Sequence, residues 1–319
     1  MGTDLVGISD LQVDKVPIIL ANNFSEAESF LDGILGLGFD SKTKTFLDLL
    51  LDGKKLTSPI FSVYIDETNV NGGVTFGGID TARYGGFISW NPIVPDISGT
   101  KSSWRIQLSS IKLESVPVNG SDLNSAQLTS FDIPFPKDMT ALVDTGSSLA
   151  LFPVEVANQI NTKLGLKPIE SNPKTYGIPC NNTIPTHFGT VTIKLGQTTL
   201  SFTPSEYLYL APVDSIVYCN SGFTGLGNNQ TVILGNVLLR KYYQIYDRAH
   251  LKVGFAKANR GVSVNNSFVN GDSTKSPNGT WLDSNEKFMT NTDASSDDFN
   301  IFSMPLVTFM LMIPLIFFG

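Results

Sequence analysis

Positive charge is scarce in this chain. Its 319 residues carry 22 Lys and Arg against 29 Asp and Glu, a formal net charge of −7. Without clustered Lys and Arg it is not built for nucleic acid, whose phosphates demand them. Histidine and cysteine are rarer still, two of each. His187 and His250 stand in segments patterned as ordinary strand ends, with no Cys or acidic cluster at ligand spacing, which argues against a metal. There is no Gly-x-Ser-x-Gly elbow for a serine hydrolase. Gly72-Gly73 and Gly77-Gly78 read as turn and bulge glycines, because no helix pattern with a following Lys makes them a phosphate cradle. No motif calls for a cofactor. A signal peptide is missing from the first residues too: Met1 to Val13 is acidic, and Val16 to Ala21 is too short for an apolar core. Val6 stands where a myristoylation signal needs Ser or Thr.

What the chain does have is glycine, proline and phenylalanine, 28, 17 and 21 of them, with turn signals about every ten residues. That pattern reads as an all-β fold, and the length suffices for two buried cores. One carboxylate stands out. The apolar run Ala141-Leu142-Val143 leads into Asp144-Thr145-Gly146-Ser147-Ser148, a strand delivering an acid into a tight turn. Gly146 lets backbone crowd that acid, and three hydroxyls can hydrogen-bond the loop. The tripeptide alone also occurs in ordinary turns, so its surroundings decide its meaning.

Leu234 lies 90 residues further on, within Val232-Ile233-Leu234-Gly235-Asn236, followed by Tyr242-Tyr243 and Tyr246-Asp247. Apolar-apolar-Gly fits a buried strand whose glycine admits another backbone, here that of the Asp144 turn. The three tyrosines are expected to pack the second lobe. Asp32-Gly33-Ile34-Leu35-Gly36-Leu37-Gly38 repeats the device near the start. Between the two copies lie Pro59 to Tyr64, Gly77 to Asp80 and Trp104 to Leu108. In this order the segments resemble the pepsin-like aspartic endopeptidases, a family of two-lobed β proteins, from about residue 1 to about residue 260. The tail described below points to a surface member of yapsin or candidapepsin type.

The resemblance implies a pepsin-like bilobal acid-protease fold hydrolysing polypeptides between two Asp carboxylates, with no cofactor and no covalent intermediate. Asp144 would be one carboxylate; Thr145 and Gly146 would fix it, and Ser147 and Ser148 would support the turn and border the cleft. Cys180 and Cys219 leave two readings, one disulfide or two buried thiols, and the resemblance favours the disulfide. One position departs from the pattern. Many relatives carry Asp after Ile-Leu-Gly, whereas this chain has Asn236, which cannot titrate. A larger gap is that no second Asp-Thr/Ser-Gly occurs; ninety residues before Leu35 falls ahead of Met1. The expectation is a chain lacking the front of the first lobe, with Met1 an internal methionine or a misplaced start.

Six Asn-x-Ser/Thr sequons, at Asn23, Asn119, Asn181, Asn229, Asn265 and Asn278, point to a glycoprotein of the secretory route. After residue 260 the character changes. Residues 261–300 are rich in Asn, Ser, Asp and Gly, as in a solvated stalk, and residues 301–319 are apolar without a charge. Polar spacer and apolar terminus form a GPI-anchor signal with Asn291 as attachment site; a retained transmembrane helix is the alternative. The expected organisation is residues 1–95 as the rest of the N-terminal lobe, 96–260 as the C-terminal catalytic lobe, then stalk and tail. Three functions follow: a GPI-anchored aspartic endopeptidase at the cell surface, monomeric when full length; a non-catalytic binding module lacking the first Asp; or a homodimer pairing two Asp144 turns. First-lobe strands would obstruct that last arrangement.

Overall fold

The computed structural model describes residues 2–8, 11–20, 33–39, 43–66, 72–96, 98–115, 129–170, 172–180, 182–185, 188–213, 216–227, 231–259 and 268–269. The chain opens with β1 (Gly2–Ile8), β2 (Leu11–Ile18), helix α1 (Phe46–Asp52), β3 (Ile60–Ile65), β4 (Gly72–Phe76), β5 (Ile79–Asp80) and β6 (Tyr84–Pro92). There follow β7 (Arg105–Ser115), β8 (Thr129–Asp132), β9 (Thr140–Val143), β10 (Ala150–Phe152), α2 (Val154–Lys163), β11 (Lys167–Ile169) and β12 (Asn172–Pro179). Next come β13 (Thr190–Leu195), β14 (Thr198–Phe202), α3 (Pro204–Tyr207), β15 (Leu208–Val213), β16 (Ile216–Ser221), β17 (Phe223–Gly225) and β18 (Thr231–Leu234). Helix α4 (Asn236–Leu239), β19 (Tyr242–Asp247), β20 (Lys252–Ala258) and β21 (Phe268–Val269) complete the described chain. Strands dominate and the helices are few and short, the all-β class expected of the turn spacing.

Two compact units divide these elements. Unit one gathers the described residues up to Arg105, the tripeptide Asp144–Gly146, and those from Leu239 onward; unit two holds Ile106–Val143 and Ser147–Leu238.

In unit one β4, β3, β19, β20 and β6 form an antiparallel sheet in that order. Its register sets Tyr246 against Phe61 and Phe61 against Phe76, so the three share a face. That face is aromatic. Tyr246 stacks on Phe61 with centroids 4.5 Å apart, and Trp104 meets Tyr246 edge-on at 5.1 Å. The Trp104 indole N–H donates to the Leu37 carbonyl at 2.8 Å, tying the early Gly-Ile-Leu-Gly segment to the layer. Helix α1 is started by a reciprocal cap between Thr45 and Asp48 and buries Phe46, Leu47 and Leu50. On the opposite face Tyr243 and Tyr84 stack at 5.4 Å among Ile60, Ile79, Ile88 and Ile245. The Tyr243 hydroxyl donates to Ser62 Oγ at 2.6 Å and accepts from the Asp80 amide at 2.8 Å. Tyr243 and Tyr246 therefore pack unit one, on a sheet whose first strand along the chain is β3, and not the residues of the second lobe that precede them. The reason is long-range: β19 pairs with β3, a partner that sequence spacing does not reveal.

Unit two has a larger sheet in the order β14, β13, β7, β9, β18, β10, β17, with β8 beside β7. Strands β9 and β18 run parallel in its middle, Leu234 level with Val143. Buried centrally, both are uninterrupted apolar runs, Ala141-Leu142-Val143 and Val232-Ile233-Leu234. A second sheet, β11-β12-β16-β15, carries the disulfide Cys180–Cys219, with Cα atoms 5.8 Å apart.

Candidate active site

Strand β9 ends at Val143 and hands the chain to Asp144, which is 1% exposed. A buried carboxylate needs hydrogen bonds, and the turn supplies one: the Gly146 amide donates to Asp144 Oδ1 at 2.9 Å. Thr145 and Gly146 are buried with it, Ser147 is half-buried, and Ser148 is exposed. The tripeptide clusters with unit one, while the strands on either side belong to unit two.

The Ile-Leu-Gly strand explains why the turn keeps its shape. Within unit two the amides of Asn236 and Val237, the first residues of α4, donate to the carbonyls of Ser147 at 2.7 Å and Ser148 at 2.9 Å. These contacts demand that Gly235 have no side chain. A Cβ there would sit 2.6 Å from the Ser147 carbonyl oxygen and closer still to that of Leu149. A second anchor follows the turn, where the Ala150 amide donates to the Gly222 carbonyl at 2.9 Å and β10 runs parallel to β17.

In unit one the Tyr246 phenol is fully buried, which pushes its titration well above the ordinary tyrosine value; the nearby charge of Asp144 adds to that. Tyr246 is therefore a neutral, fixed dipole within electrostatic reach of Asp144. A buried carboxylate on a rigid turn can act as one half of an acid–base pair, given a second carboxylate to share its proton.

The structure joins Cys180 to Cys219 and brings Asp144, Thr145 and Gly146 into one buried turn. Asn23, Asn119, Asn181, Asn229, Asn265, Asn278, Asn291 and His187 lie outside the described residues. His250 sits between β19 and β20, its Nδ1 2.8 Å from the buried Asp247 carboxylate. Among the described residues no group of three or more His, Cys, Asp or Glu is placed to hold a metal ion, and no helix is long and apolar enough to cross a membrane. Sequence reasoning did not single out Asn161, Ser221 or Gly222. Their one local signal is a polar residue, Asn161, inside the apolar stripe of α2.

A buried Asp-Thr-Gly turn at the end of a strand, with a Ser147–Leu149 segment after it packed against the side-chain-free Gly235, in a protein of β units, is the pattern of the acid-protease class. A family model for eukaryotic aspartyl proteases matches residues 1–258, and the chain belongs to that family. It is similar to cathepsin E of Mus musculus, 29% identical over 280 residues covering 81% of this chain and 62% of the relative. It also resembles chymosin of Camelus dromedarius, 27% identical over 266 residues (81% of this chain, 62% of the relative). Rhizopuspepsin-2 of Rhizopus niveus is 28% identical over 265 residues, covering 78% of this chain and 58% of the relative. The chain thus spans about three-fifths of the length of these curated relatives.

Proposed function

We propose that this chain supplies Asp144 as one of the two catalytic carboxylates of an aspartic-type endopeptidase. The observation that carries this is the Asp144 turn itself: a carboxylate 1% exposed, held by the Gly146 amide at 2.9 Å at the end of a central strand. In this reading Asp144 and a second Asp hold a water between them. The ionised partner takes the water's proton as it attacks the peptide carbonyl, and the protonated partner donates to the developing oxyanion. Two carboxylates about 3 Å apart cannot both ionise, so the pair shares one proton and favours acidic pH. Asn236 adds no titrating group to that balance. Thr145, Ser147 and Ser148 serve the turn and its cleft.

No other Asp-Thr/Ser-Gly occurs in residues 1–319, so the reading assigns the second carboxylate to polypeptide outside them. That same feature favours a second reading, a surface binding module without catalysis. One comparison separates them. Residues 1–290 alone should leave a denatured protein substrate uncut between about pH 3 and pH 6, because a lone carboxylate has no partner to protonate the oxyanion. The full-length gene product should cut it with pepstatin sensitivity. An uncut substrate in both cases selects the binding module; robust cleavage by residues 1–290 selects pairing of two Asp144 turns.

Sequons at Asn23, Asn119, Asn181, Asn229, Asn265 and Asn278, with an uncharged apolar tail over residues 301–319, support a glycosylated, secretory-route protein held at the cell surface by a GPI anchor near Asn291. Release of the protein from intact cells by phosphatidylinositol-specific phospholipase supports the anchor. Recovery of peptides from residues 301–319 on the mature protein replaces it with a retained membrane span.

A further inference from the structure

We infer that Asn161 and Ser221, two buried polar side chains remote in sequence from the Asp-Thr-Gly turn, are positioning residues that fix the Gly222 carbonyl and so the exit of that turn. The inference rests on the proposed protease reading for its catalytic consequence, though its structural part stands within unit two alone.

Helix α2 turns Val156, Ala157 and Ile160 inward, and the same stripe includes Asn161, 0% exposed. A buried amide in an apolar stripe is costly unless both of its ends are bonded. Both are. Asn161 Nδ2 donates to the Phe223 carbonyl at 2.9 Å, and Asn161 Oδ1 accepts from Ser221 Oγ at 2.5 Å. Ser221 Oγ in turn accepts from the Phe223 amide at 3.1 Å. The two side chains therefore bracket Gly222, holding the residue before it and both backbone groups of the residue after it.

Gly222 is held by its own backbone as well. Its amide donates to the Tyr207 carbonyl at 2.7 Å, and its carbonyl receives the Ala150 amide at 2.9 Å. No side chain fits, since a Cβ would lie 2.6 Å from Val237 Cγ2 and 2.7 Å from the Tyr207 oxygen. Val237 is the residue whose amide binds the Ser148 carbonyl at 2.9 Å. Gly222 thus touches the turn's supports twice, through Ala150 after it and through Val237 beneath it. An apolar pair at Asn161 and Ser221 would fill the same space but take these partners from the Phe223 amide and carbonyl, so the peptide joining Gly222 to Phe223 would lose its side-chain restraint and rest on the Gly222 backbone bonds to Tyr207 and Ala150. Displacing a catalytic group by about 1 Å is enough to lower a rate by about a hundredfold.

The test is amide hydrogen exchange of the full chain under native conditions, comparing wild type with Ser221→Ala and with Asn161→Ala. Each variant is read where its far-UV circular dichroism is native, so a fold failure in one leaves the other informative. The expected result is exchange of the Ala150 and Val237 amides faster by about tenfold or more, with the Val191–Phe202 hairpin within about twofold of wild type. In the active full-length protease the same variants should lower kcat by about tenfold or more and leave KM within about threefold. Unchanged exchange at Ala150 and Val237, or acceleration spread evenly over unit two, overturns the inference and makes the network ordinary packing. Exchange does not depend on activity. If Asp144→Asn leaves catalysis intact, the protease reading fails while selective exchange at Ala150 still upholds the positioning network.

Discussion

Replacing Gly235 by Ala should damage the protein far more than one methyl group ordinarily does. The added Cβ would lie 2.6 Å from the Ser147 oxygen and 2.8 Å from the Leu149 carbonyl carbon, against 3.4 Å or more for ordinary contact. Backbone must therefore retreat by about 0.8 Å at the Ser147 oxygen and by more at the Leu149 oxygen, which is closer still, and both sides are tied. The turn accepts the Asn236 and Val237 amides at 2.7 and 2.9 Å, and Gly235 follows a strand paired in register with β9. Forced overpacking costs about 1–3 kcal/mol, and weakening two backbone hydrogen bonds adds about 0.5–1.5 kcal/mol each. A loss of about 2–6 kcal/mol follows, a large part of a typical domain's stability. Urea unfolding with the disulfide intact measures it. The matched control is Gly33→Ala, in the earlier Gly-Ile-Leu-Gly copy, where a Cβ meets nothing within 4 Å. That variant should stay within about 0.5 kcal/mol of wild type. If Gly235→Ala is as harmless as Gly33→Ala, the close crossing does not hold the turn and the account of its rigidity fails.

Three further outcomes are expected. Replacing Cys180 and Cys219 together by Ser opens a loop whose ends are 39 residues apart and should destabilise unit two by about 4 kcal/mol; a midpoint shift too small to register in urea would mean the bridge adds nothing. Burial raises the Asp80 carboxyl above its ordinary value despite the opposing Ala82 amide and Arg83. The folded state therefore holds the Asp80 proton more tightly than the unfolded one, and this stabilisation fades as pH rises from about 4 through the raised value. Asp80→Asn, which keeps the oxygen that accepts from Ala82, should flatten that decline, and an unchanged pH slope would refute the assignment. Trp104→Ala removes a ring 1% exposed that packs on Phe39, Phe61 and Tyr246, and should cost about 3–5 kcal/mol by thermal unfolding. A loss below about 1 kcal/mol would show that the aromatic layer is not the core of unit one.

Much of the site was legible in sequence because its physics is local. Ala141-Leu142-Val143 is apolar because a central parallel strand is buried on both faces, Gly146 lets its amide reach the acid two residues back, and Gly235 is a glycine because two carbonyls leave no room for anything else. The all-β class was legible for a similar reason, through turn residues at short intervals. What stayed hidden depends on partners distant along the chain. Tyr243 and Tyr246 look like packing residues of whatever precedes them, yet β19 joins a sheet with β3, and the Tyr243 hydroxyl finds Ser62. Asn161 carries no signature beyond its odd place in an apolar stripe, since its meaning comes from Ser221 and Phe223 some 60 residues later. Periodicity reports which face is buried; it does not report what a buried amide is bonded to.

The catalytic assignment of Asp144 is tested most directly by Asp144→Asn in the full-length protein, with peptide hydrolysis followed at acidic pH. The amide keeps the shape of the carboxylate and can still accept from the Gly146 amide, so the fold should survive and only the titrating group is lost. General acid–base catalysis contributes about 10²–10⁴-fold, and hydrolysis should fall by at least that lower factor while the unfolding midpoint stays near wild type. A stably folded Asp144→Asn protein that keeps more than a few per cent of the wild-type rate would contradict the account.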